Sequence, residues 1–152
     1  MKLKQLITTL LAIVFCTCLL AGCGNDKQNI SDEKDKISIT DSLGRQVVLD
    51  KPVSRAVVAN AYNTELINAI GAIDDVVGVD FNIYQDQEGF KNKFTKDMVI
   101  GKSQRELNYE KIIELKPEVL ILTSNGAWQD AEAKLSPFGI EVINVDAYYT
   151  DK

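Results

Sequence analysis

Five short apolar runs punctuate the chain from residue 56 onward. They are Ala56-Val57-Val58-Ala59, Val76-Val77-Gly78-Val79, Met98-Val99-Ile100, Val119-Leu120-Ile121-Leu122 and Val142-Ile143-Asn144-Val145. Their centres fall about 21 residues apart, the length of a strand and its crossover helix together. Each run is rich in β-branched residues and too short for a helix. Continuous rather than alternating apolar runs predict strands covered on both faces. Helical patterns lie between several of them. Asn63 is placed to cap a helix whose Leu66, Ile67 and Ile70 share an inward face, with Gly71 ending it. Asn108 is placed to cap a second, with Ile112, Ile113 and Leu115 inward and Pro117 just past its stop. Trp128 to Leu135 reads as a third, closed by Pro137 and Gly139. The stretch from Asp80 to Lys96 is less regular and reads as a loop with a short helix. Strand, helix, strand at this spacing predicts right-handed crossovers and an α/β fold, a parallel β-sheet sandwiched by helices. Ahead of it, "ISITDSLGRQVVLDKP" holds two β-rich runs around Asp41-Ser42-Leu43-Gly44, an N-terminal β-hairpin.

The first quarter follows a different pattern. Lys2 and Lys4 precede an almost wholly apolar run from Leu6 to Leu20. That run is about fifteen residues, whereas a spanning helix needs roughly 20. A basic start, a short apolar middle and small residues before a break describe an export signal over residues 1–22. Leu20-Ala21-Gly22-Cys23 resembles the bacterial lipoprotein cleavage box, in which the chain is cut before the cysteine and the cysteine takes the lipid. Lasting attachment takes two or more acyl chains, each methylene contributing about 0.8 kcal/mol. Residues 23–36, from the lipidated Cys23 through "GNDKQNISDEKDK", are too polar to offset their own ordering entropy and read as a flexible tether. The tether's mean reach is roughly 20 Å. The globular domain then covers residues 37–152.

Composition narrows the function. Cys16 and Cys18 leave with the signal and Cys23 is capped, so the mature chain offers no thiol for a disulfide or a metal. There is no histidine, the commonest transition-metal ligand and general base. Without Lys2 and Lys4 the chain carries 15 basic against 22 acidic residues, a formal charge of −7. An acidic chain gains nothing from counterion release on nucleic acid, so no nucleic-acid partner is expected.

In open parallel sheets, ligands sit beyond the carboxyl ends of the strands. The residues expected there are Asn60 and Tyr62 after the first run, Asp80, Phe81 and Tyr84 after the second, and Lys102, Ser103, Gln104 and Arg105 after the third. Thr123, Ser124, Asn125, Gly126 and Trp128 follow the fourth, and Asp146, Tyr148 and Tyr149 the fifth. Aromatic rings with a few donors suit a large amphipathic or anionic small molecule. The candidate ligand-binding residues are therefore Asn60, Tyr62, Phe81, Tyr84, Lys102, Ser103, Arg105, Asn125 and Trp128. Each ring also has a plainer reading as cover for the sheet, and Arg105 as a solvated loop residue. Gly101-Lys102-Ser103 imitates the end of a phosphate loop, but the pattern needs a glycine where Lys96 stands. Neither Gly-x-Gly-x-x-Gly nor Gly-x-Ser-x-Gly occurs.

Four blocks carry a family resemblance. "ITDSLGRQVVLDKPVSRAVV" resembles the amino-terminal block of ABC-importer substrate-binding lipoproteins of the iron-siderophore, haem and cobalamin type, through Thr40-Asp41, Gly44-Arg45, Val47, Leu49, Pro52 and Arg55. "NTELINAIGAIDDVVGVD", "LNYEKIIELKPEVLIL" and "LSPFGIEVINV" resemble the family's following segments in the same order. The resemblance implies two lobes bridged by one long helix, ligand between them, and a surface glutamate on each lobe for arginines of the permease. By motif the first-lobe docking glutamate is Glu110, which at the second helical position also favours the helix dipole. Glu65, at the matching place of the earlier helix, is expected to be a dipole partner only. The chain stops at Asp151-Lys152, about where the bridging helix begins in the family, so the expectation is an amino-terminal lobe with the second lobe missing, a truncated form.

The resemblance implies an extracytoplasmic, lipid-anchored binding protein on the outer face of the cytoplasmic membrane. It would deliver a ferric siderophore or similar iron complex to an ABC permease and its ATPase. Haem or cobalamin are the nearest substitutes. Lys102 and Arg105 favour an anionic complex. A resident cofactor or metal is not expected, iron entering only within the bound chelate. Two readings compete with it: an enzyme on a related α/β sheet using Asp80, Asp146 or Ser103, and an anchored interaction or sensory module without a small ligand. Lacking an activated nucleophile or a tuned base, the chain is expected not to be an enzyme.

Overall fold

A computed structural model describes residues 36–147 apart from Gln87 and Lys91, all within one compact unit, Asp35–Lys152. The export signal, Cys23, nearly all of the tether, Tyr148 and Tyr149 lie outside the described residues. The chain opens with strands β1 (Ile37–Thr40) and β2 (Gln46–Leu49), paired antiparallel as a hairpin. Then come β3 (Ala56–Val58), helix α1 (Ala61–Ala69), β4 (Val76–Val79) and helix α2 (Phe81–Gln85). A small hairpin of β5 (Gly101–Ser103) and β6 (Glu106–Leu107) leads to α3 (Tyr109–Leu115), β7 (Val119–Leu122), α4 (Trp128–Leu135) and β8 (Glu141–Asn144).

The main sheet runs in the order β4-β3-β7-β8, every pair parallel. Successive residues of β3, β7 and β8 pack to opposite faces, as a two-residue period dictates, while β4 is irregular, its register against β3 shifting after Val76. On one face Ala56, Val58, Val76, Val119 and Ile143 meet the hairpin's Val47, helix α2's Ile83, and Phe90 and Phe94. On the other, Val57, Leu120, Leu122 and Val142 meet Ile112 of α3 and Ala131 and Leu135 of α4. Each fully buried aliphatic side chain contributes about 1.5–3 kcal/mol. Helix α3 approaches β4 closely: a Cβ at Gly78 would lie 2.8 Å from Leu115 and 3.0 Å from Ile100 and Val57.

Four expectations are corrected. The Met98–Ile100 run does not form a strand. Val99 makes one parallel bridge to Val79, and Ile100 N donates to Val79 O, but Asn108 N then takes the Ile100 carbonyl at 2.7 Å. The chain turns away at Gly101, whose φ of +146° and contact with the Glu106 carbonyl exclude any other residue. Secondly, Asn60, not Asn63, caps α1: its side chain accepts from Asn63 N at 3.2 Å. Thirdly, the helix therefore starts three residues early and buries Asn63, Thr64 and part of Ile67, leaving Leu66 48% and Ile70 78% exposed. Lastly, Glu65 falls outside the first turn and is no dipole partner.

The first hairpin closes the sheet's free edge. Ser42 N donates to Asn144 O (2.9 Å) and Asp146 N donates to Ser42 Oγ (2.8 Å), so the turn lies along β8. Buried Asp41 holds that turn together, accepting from the Leu43 and Arg45 amides at 3.0 Å each. Arg45 clasps the same carboxylate through Nε (2.9 Å) and Nη2 (2.7 Å), reaches Glu132 (2.9 Å) and the Val142 carbonyl (2.9 Å), and lies 4.7 Å above the Trp128 ring. Asn144, oriented so that both amide ends are satisfied, donates to Thr123 O (3.0 Å) and accepts from Arg45 Nη2 (2.8 Å).

Candidate functional site

Because β3, β4, β7 and β8 all run the same way, their carboxyl ends share one edge. The crossovers leave β3 and β7 in opposite directions across the sheet, which makes the gap between their tips the topological switch point. Buried Asn63 spans that gap, its Nδ2 donating to Leu122 O at 3.4 Å while Oδ1 has no partner among the described residues.

The edge brings together part of the expected set. Phe81, 40% exposed, and Tyr84 stand on α2 with ring centres 6.2 Å apart. Buried Asp80 caps that helix, accepting from Asn82 N (2.9 Å) and Ile83 N (3.1 Å). Burial pushes the Asp80 carboxyl above its ordinary value, and those two amides only partly offset it. Asn82 donates to the Lys102 carbonyl at 3.2 Å, which joins α2 to the β5–β6 turn. In that turn Ser103 Oγ accepts from Arg105 N (3.3 Å), and Arg105 Nε donates to the Asn125 carbonyl at 3.0 Å. Phe81, Lys102, Ser103, Arg105 and Asn125 therefore form one continuous patch.

The remainder are placed differently. Asn60 is taken up as the α1 cap. Tyr62, 55% exposed, stands on the first turn of α1 at the tip of β3. Trp128 begins α4 but is half-buried against the α3–α4 core and lies under Arg45, so its ring serves the scaffold. Tyr84 likewise packs against the core of the opposite face. The rim thus presents fewer rings than the sequence suggests. Its cations are also unequal: Lys102 pairs with Glu106 at 3.3 Å, both exposed. Arg105 has no carboxylate partner among the described residues.

Gln104, between the two expected contact residues, is the member whose importance the sequence conceals. Its Oε1 accepts from Thr123 N (3.0 Å) and Thr123 Oγ1 (2.8 Å), and its carbonyl accepts from Ala127 N (3.0 Å). Nothing in the local pattern sets this glutamine apart from a solvated turn residue.

Glu110 is exposed at the second position of α3, behind an Asn108 cap that accepts from Lys111 N at 3.0 Å. The preceding Tyr109 donates to Asp130 of α4 at 3.1 Å, and Lys134 both pairs with Asp130 (2.8 Å) and lies 4.4 Å from the Tyr109 ring. Burial, then the Asp130 hydrogen bond and charge, push the Tyr109 hydroxyl up to about 12. Two concavities lie at the opposite end of the strands: about 230 Å³ beside Val48, Lys51 and Glu118, and about 280 Å³ beside Ile113, Pro117 and Phe138. The rim chemistry does not extend into either.

An open parallel sheet flanked by helices, with a polar and aromatic patch along its strand tips, defines one α/β lobe. The periplasmic binding protein family matches residues 57–146, and the chain belongs to that family. A relative described as an uncharacterized ABC transporter substrate-binding lipoprotein, YvrC of Bacillus subtilis (strain 168), is 33% identical over 143 residues, covering 89% of this chain and 43% of its own length. Among solved structures, the heme binding protein HmuT superposes with a TM-score of 0.57 at 22% identity, over 73% of this chain and 34% of that one. The petrobactin-binding protein YclQ of Bacillus subtilis gives 0.54 at 22% identity, over 73% of this chain and 38% of that one. The chain thus spans less than half the length of these relatives.

Proposed function

We propose that residues 37–152 act as the amino-terminal, ligand-facing lobe of an exported solute-binding lipoprotein that hands an anionic ferric siderophore to an ABC importer. The observation that carries this reading is Arg105. Its Nε is tied to the Asn125 carbonyl at 3.0 Å, the residue is exposed, and it lies on the β5–β6 hairpin that also carries Lys102. A guanidinium steadied at one end suits carboxylate or catecholate oxygens at the other. The relatives, a substrate-binding lipoprotein and binders of petrobactin and haem, support the class. The protein is a transport component, not an enzyme. Residues 1–22 direct export, Cys23 carries the lipid, and residues 23–36 tether the lobe to the outer face of the cytoplasmic membrane. Glu110 on the first turn of α3 docks to permease arginines.

The deciding experiment is titration with an anionic ferric tris-catecholate, read through Trp128, the single tryptophan. Saturable quenching that is weakened in Arg105→Gln supports the reading. Quenching by haem or cobalamin alone moves the assignment to that ligand, and silence with all three favours an anchored module without a small ligand. Fatty-acid labelling that disappears in Cys23→Ala tests the anchor. Uptake that falls in Glu110→Gln while ligand affinity holds tests the docking role.

A further inference from the structure

We infer that Gln104 is a positioning residue that aims Arg105 at the ligand by locking two rim loops into one body. This rests on the reading of Arg105 as the anion-binding group. The β5–β6 turn carries Arg105, and the 123–127 loop supplies the carbonyl that steadies it. Four hydrogen bonds join the two segments: Thr123 N and Thr123 Oγ1 to Gln104 Oε1, Ala127 N to Gln104 O, and Arg105 Nε to Asn125 O. The contact is tight as well as polar. Thr123 is fully buried, and a Cβ at Gly126 would lie 3.2 Å from Gln104 Oε1 and 3.3 Å from Gln104 O. On the other side, Asn82 holds the Lys102 carbonyl. The turn is thereby fastened to both neighbouring strand tips.

The chemistry of the lock is one-directional. A single amide oxygen takes both the amide and the hydroxyl of Thr123. Without that oxygen, two buried donors lose their acceptor, and the loop must shift to find another. Arg105 rides on the next residue, so a shift of the turn moves its guanidinium away from the Asn125 carbonyl. Preorganised donors contribute to affinity because their ordering cost is met before the ligand arrives.

The test uses Gln104→Met, which keeps the length and removes the acceptor, Thr123→Val, which removes the hydroxyl, and Thr123→Ser, which restores it. The first readout needs no ligand: solvent exchange of the Arg105 Nε proton by NMR. Exchange should quicken in Gln104→Met and Thr123→Val and return to the parent rate in Thr123→Ser. The second is affinity for the anionic ferric tris-catecholate against a neutral ferric tris-hydroxamate. The first two variants should lose about fivefold for the anionic complex and keep their affinity for the neutral one. Equal losses for both complexes, or an unchanged Nε exchange rate, would overturn the inference, leaving Gln104 a packing residue. An Arg105→Gln chain that binds the anionic complex as well as the parent does would remove the underlying reading instead.

Discussion

The described residues contain two small antiparallel hairpins, each with an arginine at its turn, and they put that arginine to opposite uses. In β1–β2, Arg45 makes contacts with Asp41, Glu132 and the Val142 carbonyl and lies over Trp128. In β5–β6, Arg105 donates through Nε to one carbonyl and otherwise faces outward. The first side chain is consumed by the fold, fixing the turn, an edge strand and a helix at once. The second is held at its root and open at its tip. An arginine becomes available to a ligand when the structure satisfies it incompletely.

The largest effect should come from Arg45→Met. It leaves the Asp41 carboxylate buried without its cation, and removing one partner of a buried pair costs about 3–5 kcal/mol. Urea unfolding should show that loss; a change below ~1 kcal/mol would mean that the backbone amides alone hold Asp41. Next, Trp128→Leu removes the face on which Arg45 rests, an interaction of about 0.5–2 kcal/mol, and should lower the urea midpoint without abolishing binding of a ferric chelate followed by iron absorbance. Acid separates the hairpins further. Burial alone would raise Asp41, but the Arg45 side chain and the Arg45 and Leu43 amides outweigh it and hold the carboxyl below its ordinary value. At the far end, pairing with Lys51 and the Ser54 amide takes Glu118 down to about 2. Depressed carboxyls stabilise the fold fully above their unfolded values, 3.8 and 4.5. That stabilisation is lost as pH falls through the folded ones. Thermal melts should therefore drop on acidification from about pH 5 to 2, with a shallower slope in Glu118→Gln. The smallest effect on stability belongs to Arg105→Gln, within about 0.5 kcal/mol and with an unchanged acid slope, while anionic-chelate affinity falls.

Periodicity made the sheet legible, because runs such as Val119–Leu122 have no polar side to hesitate over. It misled at α1, where Asn60 and Asn63 are both competent caps three residues apart, and only the packed helix decides between them. The apolar Leu66 and Ile70 suggested an inward face, yet Asn63 and Thr64 took it by bonding to Leu122 O and Asn60 O. Strand polarity placed Phe81 at the rim, whereas Lys102 and Arg105 sit on the β5–β6 hairpin that stands where a third strand was expected. The place of Trp128 was not foreseeable, because its partner Arg45 is distant in sequence and invisible to local pattern. Gln104 was hidden for the same reason: its value lies entirely in the loop opposite.

The bond between Ser42 and Asn144 ties the opening turn to the final described strand. A nascent chain therefore has no seat for its first hairpin until nearly all of the lobe has left the ribosome. The hairpin's docking thus waits on β8, about a hundred residues further along the chain. A chain stalled before Glu141 should accordingly stay open to protease along its whole length, and one stalled well past Asp146 should resist it.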